Sequence, residues 1–149
     1  MSPVPSPKVT APGQGRSIKL FAVRFDYKVT SADSGGDLAA LEVTIPPRTL
    51  VKPHNHARED EYTVVLAGTV GARVGDQVVE AGAGASLVKP RGTPHAMWNA
   101  AAEPATVLEI LSPAGWRTTS RSWSAPTGSS SSPRPVAGPG APGSRPGPG

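Results

Sequence analysis

From Phe21 to Leu111 the chain alternates apolar and polar residues with a period of two, and clusters of glycine and proline break the alternation repeatedly. Phe21, Val23, Phe25, Tyr27 and Val29 alternate with Ala22, Arg24, Asp26 and Lys28. Leu41, Val43 and Ile45 alternate with Glu42 and Thr44 before Pro46-Pro47 ends the run. A period of two is that of a strand with one buried face. Thr49 to His56 reads as extended, with Pro53 favouring an edge or a strand start. Glu61 to Ala67 is rich in Val and Thr. Val70–Val74 and Gln77–Ala81 flank Gly75-Asp76, a two-residue hairpin turn in which Gly75 supplies the positive φ. Ser86–Lys89, His95–Asn99 and Ala105–Leu111 complete a set of about nine strands spaced about 8–12 residues apart. No window has a helical period. The expected fold is all-β, closed into a sandwich or barrel whose mouth accepts a small ligand.

The ends differ from this middle. Residues 1–18 are rich in Pro, Gly and Ser, and residues 117–149 use almost only Ser, Pro, Gly, Ala and Arg. Such segments bury too little apolar surface to offset chain entropy, so both are expected to be disordered, with the barrel domain at 19–116. Trp123 is expected to be an idle exposed side chain. The formal charge of +4 belongs to these ends: residues 20–116 carry eight basic and eleven acidic residues, while 1–19 and 117–149 carry basic residues and no acid. A nucleic-acid-binding face needs its cations on the folded domain, so no specific nucleic-acid partner is expected. With no cysteine in the chain, disulfide frameworks, thiolate metal sites and thiol catalysis are excluded. The first residues carry no continuous apolar core of a secretory signal, and no apolar run approaches the ~20 residues of a membrane helix. A soluble, cytoplasmic protein is expected.

The chain has three histidines. Two form the His-x-His pair His54 and His56. On a strand, positions i and i+2 share a face, so the two rings aim together. Glu61 opens the next strand with Thr63 and Val65 on its face, and His95 opens a later one with Met97 and Asn99 on its face. If the barrel closes with these faces inward, three imidazoles and one carboxylate converge. That donor set suits a divalent iron, manganese, nickel, copper or zinc ion.

These residues resemble the two motifs of the cupin superfamily, and in particular its small single-domain bacterial members. The first motif, G-x5-H-x-H-x3,4-E-x6-G, is met by His54, His56, Glu61 and Gly68. The second, G-x5-P-x-G-x2-H-x3-N, is met by Gly84, Pro90, Gly92, His95 and Asn99. Residues 69–83 separate them. Arg48 stands where the first motif has glycine, which puts a local backbone bend in question. The resemblance implies a jelly-roll β-barrel with His54, His56, Glu61 and His95 as metal ligands, and a homodimer. The looser spacing of the motif admits Asp60, but the six-residue gap to Gly68 and the strand parity favour Glu61. Glu59 and Asp60 are expected to be solvated, one of them able to orient a ligand histidine. After Ser112–Trp116 small cupins continue with a short helix; the low-complexity end here suggests an altered reading frame or a recent extension.

Four protein ligands leave two positions of an octahedral ion open to a substrate and to dioxygen, and small cupins of this kind resemble quercetinase-like dioxygenases. The expected function is a metal-dependent dioxygenase acting on a small aromatic or enolic metabolite. The alternatives are a non-catalytic small-molecule or metal-binding protein and a metal-assisted isomerase. The expected pocket is lined by Thr63, Val65, Met97 and Asn99, with barrel core the alternative for Val65 and Met97 and a structural role the alternative for Asn99. Lys52 shares the parity of His54 and is a candidate anion anchor at the mouth, but Pro53 disturbs that strand and an exposed lysine is the commoner outcome. Trp98 has the opposite parity to His95 and is expected to pack between sheets or subunits.

Overall fold

The computed structural model describes residues 6–114. The expected tail at 117–149 with Trp123, residues 1–5 of the expected N-terminal segment, and Trp116 lie outside the described residues.

All ten described strands pair antiparallel, and no helix lies among them. In chain order they are β1 (Ser17–Leu20), β2 (Val23–Val29), β3 (Ala39–Ile45), β4 (Thr49–His54), β5 (Asp60–Ala67), β6 (Thr69–Val74), β7 (Gln77–Gly82), β8 (Ser86–Lys89), β9 (His95–Asn99) and β10 (Ala105–Ser112). A six-stranded sheet runs β1-β2-β3-β10-β5-β8, and a four-stranded sheet runs β4-β9-β6-β7. The sequential neighbours β3–β4 and β9–β10 fall in different sheets, so the chain rolls back and forth between them in a jelly roll. Among the described residues no helix is long and apolar enough to cross a membrane.

The inner faces meet in one core. Leu41, Val43, Ile45, Val65 and Val107 of the large sheet pack with Val70, Ala72 and Met97 of the small one. Each fully buried aliphatic side chain of this kind stabilises the fold by about 1.5–3 kcal/mol. Small residues (Ala39, Ala72, Ala81, Ala105) fill much of the remainder, which lets the sheets approach closely.

The sequence predicts nine strands, and the tenth is β1. Ser17–Leu20 pairs with Val23–Asp26 across a two-residue turn. That turn takes Phe21 out of the inward face assigned to it: Phe21 adopts φ 54° and is 82% exposed. β1 also begins at Ser17, inside the segment expected to lack structure, and further upstream Lys8 Nζ reaches Asp33 Oδ1 at 2.7 Å. The Val74–Gln77 hairpin forms as expected, with Gly75 at φ 57°. Trp98 lies on the outer side of the small sheet over Gly71, where an added Cβ would stand 2.2 Å from its indole nitrogen.

Arg48 resolves the departure from the glycine pattern. It takes φ 54° in the turn between β3 and β4, so the bend is kept and an arginine bears it. A left-handed non-glycine residue costs roughly 1–2 kcal/mol, and glycine's extra chain entropy costs roughly 0.5–1 kcal/mol. Arg48→Gly is therefore expected to raise the unfolding free energy by about 0.5–1 kcal/mol. Urea unfolding checks this; a lower midpoint would mean that the arginine side chain contributes more than its backbone conformation costs.

Candidate metal centre

The centre is assembled on β4, β5 and β9, and a bulge makes it possible. In the β4–β9 pair Val51 faces Met97, yet the next paired residues are His54 and His95, a spacing of three residues against two. Pro53, which has no N–H to donate to a ladder, lies in that extra step. Without it, His54 would have the outward parity of Leu50. With it, His54 turns to the inward side of Val51, directly across from His95. Lys52 stays outside, exposed, with its ammonium 4.9 Å from the ring centroid of Phe21. The expected shared face of Lys52 and His54 is thus corrected: the bulge at Pro53 separates the two, and Lys52 is the exposed lysine that Pro53 favoured. His56 follows the end of β4, so its approach is set by the loop rather than by strand parity.

His54, His56, Glu61 and His95 converge, one donor atom from each lying within 4.8 Å of all the others. The ring centroids of His54 stand 4.5 Å from His95 and 5.2 Å from His56. Glu61 Oε2 lies 2.9 Å from His56 Nε2 and 3.0 Å from His95 Nε2. Two backbone carbonyls fix the ring tautomers. Nδ1–H of His54 donates to Lys52 O at 2.8 Å, and Nδ1–H of His95 donates to Thr93 O at 3.1 Å. Carbonyls only accept, so in the neutral rings the lone pair sits on Nε2. At His95 that lone pair meets a carboxylate oxygen. A cation must sit at this junction, either a proton or a metal ion. Three imidazoles, two of them with fixed tautomers, and a carboxylate fit a divalent transition metal. Glu61 and His95 are buried and His54 and His56 half-buried, so the cluster opens on the His54–His56 side.

Behind Glu61 lies a second buried group that the sequence reading did not single out. Lys89 of β8 is 2% exposed. Its Nζ donates to Glu61 Oε1 at 2.7 Å and to both oxygens of Glu109 on β10 at 3.1 Å. Thr63 Oγ1 donates to Glu109 Oε2 at 2.8 Å. Register explains the meeting: Glu61 faces Lys89 across β5–β8, and Glu109 faces Thr63 across β5–β10. Burial disfavours ionised Glu61, yet the bonds from His56 and His95 and the Lys89 ammonium outweigh it and hold the carboxyl well below its usual range. Burial, with repulsion from Glu61, pushes Glu109 well above that range. Burial opposes the Lys89 charge, but Glu109 and Glu61 outweigh it and raise the ammonium's pKa. Burial holds His54 below the usual histidine value, toward the neutral ring a metal needs.

The remaining expected residues divide. Met97 lines a cavity of about 30 Å³ together with Phe25, Val43, Val51, His54, Glu61, Lys89, His95 and Glu109. Val65 belongs to the packed core, and Thr63 is fully buried on Glu109. Asn99 is committed to the chain: its Nδ2 donates to Ile45 O and Glu103 O at 3.1 and 2.8 Å, and its Oδ1 accepts from Ala101 N at 2.9 Å. Val65 thus takes the core alternative and Asn99 the structural one, while Thr63 points inward into the Glu109 network. The cavity is small and reaches three of the four donors, His54, Glu61 and His95. Of the two neighbouring acids, Glu59 Oε2 lies 4.0 Å from His56 Nδ1. Asp60 accepts from the backbone N and side chain of Arg91, which holds its carboxyl down to about 2 and ties the start of β5 to the turn before His95.

A usable signal for Lys89 and Glu109 existed. Each stands at a position that strand alternation makes inward, Lys89 with Leu87 and Glu109 with Val107. A charge at an inward position requires a partner.

The family profile described as "Cupin domain" matches residues 41–111. Among solved structures, KdgF from a Halomonas species is similar over 72% of this chain and 94% of its own, with 17% identity and a TM-score of 0.63. TT1209 from Thermus thermophilus is 28% identical over 52% of this chain and 74% of its own, with a TM-score of 0.51. The oxalate decarboxylase of Lactobacillus farciminis, in a formate complex, is similar over 67% of this chain and 31% of its own, with 20% identity and a TM-score of 0.61. No curated protein matches the sequence.

Proposed function

Since this chain carries a cupin-superfamily domain, we propose that it is a metal-dependent enzyme, a dioxygenase acting on a small enolic metabolite presented at the mouth of the barrel. The observation that carries this reading is the convergence of His54, His56, Glu61 and His95 within 4.8 Å, open on one side. When bound there, a redox-active divalent ion supplies Lewis acidity toward an enolate oxygen and electron transfer toward dioxygen.

The chain's own groups do the rest. Carbonyls of Lys52 and Thr93 keep the Nε2 lone pairs of His54 and His95 available. Glu61 contributes one negative charge, so an ion of charge +2 retains net positive charge for an anionic, enolised ligand. Phe25, Val43, Val51 and Met97 make the inner wall apolar and keep bulk water from the buried side of the cluster. His54 and His56, half-buried, form the side from which a ligand arrives.

The test is oxygen uptake by the iron(II)-loaded full chain with a panel of small 1,3-diketones and catechols. Uptake that depends on substrate and disappears in His56→Ala supports the reading. A second reading is favoured by the 30 Å³ cavity, which leaves little room beside the donors for both a substrate atom and dioxygen: a metal-assisted isomerase or a non-catalytic binding protein. Substrate conversion without oxygen selects the isomerase, and calorimetric binding without turnover selects the binding protein. Either result removes the dioxygenase.

A further inference from the structure

The Lys89 ammonium has three protons, and three carboxylate oxygens take them. Glu61 Oε1 accepts at 2.7 Å, and Glu109 Oε1 and Oε2 each accept at 3.1 Å. No proton of Lys89 remains for a ligand, although its side chain borders the cavity. The two oxygens of Glu61 thus have separate tasks. Oε1 is held by Lys89, and Oε2 alone faces His56 and His95 at 2.9 and 3.0 Å. Glu109 is itself held by Thr63 Oγ1 at 2.8 Å. The chain of contacts therefore runs from the β5–β10 ladder through Glu109 and Lys89 to one oxygen of Glu61, every member being buried.

We propose that Lys89 and Glu109 are positioning residues of the metal centre, which hold back Glu61 Oε1 so that the carboxylate offers the ion a single oxygen. The proposal rests on the metal-binding reading of the four-residue cluster and adds to it a coordination mode and two residues outside the ligand set. The consequence is a site with one protein coordination position fewer than a two-oxygen carboxylate would fill, left for an incoming ligand. A carboxylate freed from Lys89 is able to swing and bind through both oxygens, closing that position.

The test uses the full chain and cobalt(II). The double variant Lys89→Met with Glu109→Leu removes the ammonium together with one of its two carboxyl partners, which leaves one buried carboxyl, Glu61, to lose a partner instead of two. Loss of a group that orients a metal ligand typically lowers affinity 10–100-fold. The double variant is expected to stay folded, melting, metal-free, below the wild type and above Lys89→Met, to bind cobalt(II) about 10–100-fold more weakly in competition with a chelator, and to show an altered cobalt visible spectrum. Affinity within about threefold of wild type with an unchanged spectrum overturns the positioning role while leaving the metal reading intact. No cobalt binding by the wild type removes the metal reading and the inference together. A measurement on the wild type alone guards against a variant that does not fold. The infrared difference spectrum on metal loading, with glutamate carboxyl carbons labelled, is expected to show the wide carboxylate splitting of one-oxygen coordination. The narrow splitting of two-oxygen coordination contradicts the proposal.

Discussion

Alanine in place of His95 is expected to lower the affinity of the chain for cobalt(II) or nickel(II) at least about 100-fold, beyond the usual effect of losing an orienting residue. His95 is 3% exposed, its Nδ1 is committed to Thr93 O, and its Nε2 points at Glu61 Oε2. Nothing else among the described residues occupies that corner of the cluster, and alanine leaves a space that water fills without restoring a nitrogen donor. The metal-free protein is expected to stay folded, because His95 is one member of β9 and its neighbours Ala96 and Met97 keep their packing. Titration calorimetry with chelator competition reads the affinity, and circular dichroism verifies the fold. A loss under about threefold in a folded variant would mean that the ion, if it binds, sits elsewhere.

Lys89→Met alone is expected to destabilise the protein by about 3 kcal/mol, a far larger effect than the double exchange with Glu109→Leu. The single change removes the ammonium that Glu61 and Glu109 share and leaves two carboxyl groups facing each other in the interior. Three hydrogen bonds to charged groups disappear with it. The sign of the pH dependence follows from Glu61, whose folded pKa lies below its ordinary value. Its contribution is present above the ordinary carboxylate pKa and is lost as pH falls through the lowered one, so the gap between variant and wild type narrows below about pH 4. Urea unfolding of metal-free protein at pH 7 and at about pH 3 checks both parts. A single variant as stable as the double one would show that the charges are not coupled.

Much of this was legible in the sequence because period-two alternation is a direct record of which face is buried. The strand from Leu41 to Ile45 follows it residue by residue. The four clustered donors were legible for the same reason together with their resemblance to a known motif pair. Parity failed where the ladder slips. The step at Pro53 puts His54 inward and leaves Lys52 outside, so two residues expected on one face lie on opposite ones. A register shift depends on which strand is the partner, and that is a property of the closed barrel rather than of β4. Phe21 failed for a related reason, since a turn and a continuing strand have the same composition at that point. Thr63 was assigned the right face and meets a hydrogen-bond network there: parity states that a side chain points inward, and says nothing of whether it meets a cavity or a hydrogen-bond partner. Lys89 and Glu109 were not singled out, although their parity with Leu87 and Val107 points inside.

The most direct measurement is X-ray absorption at the zinc edge of the full chain loaded with one equivalent of zinc. Three imidazole nitrogens and one carboxylate oxygen, at about 2.0–2.2 Å with the outer-shell scattering of imidazole rings, are the predicted result. A zinc shell with fewer than two imidazoles, or a chain that does not retain the ion through gel filtration, would contradict it.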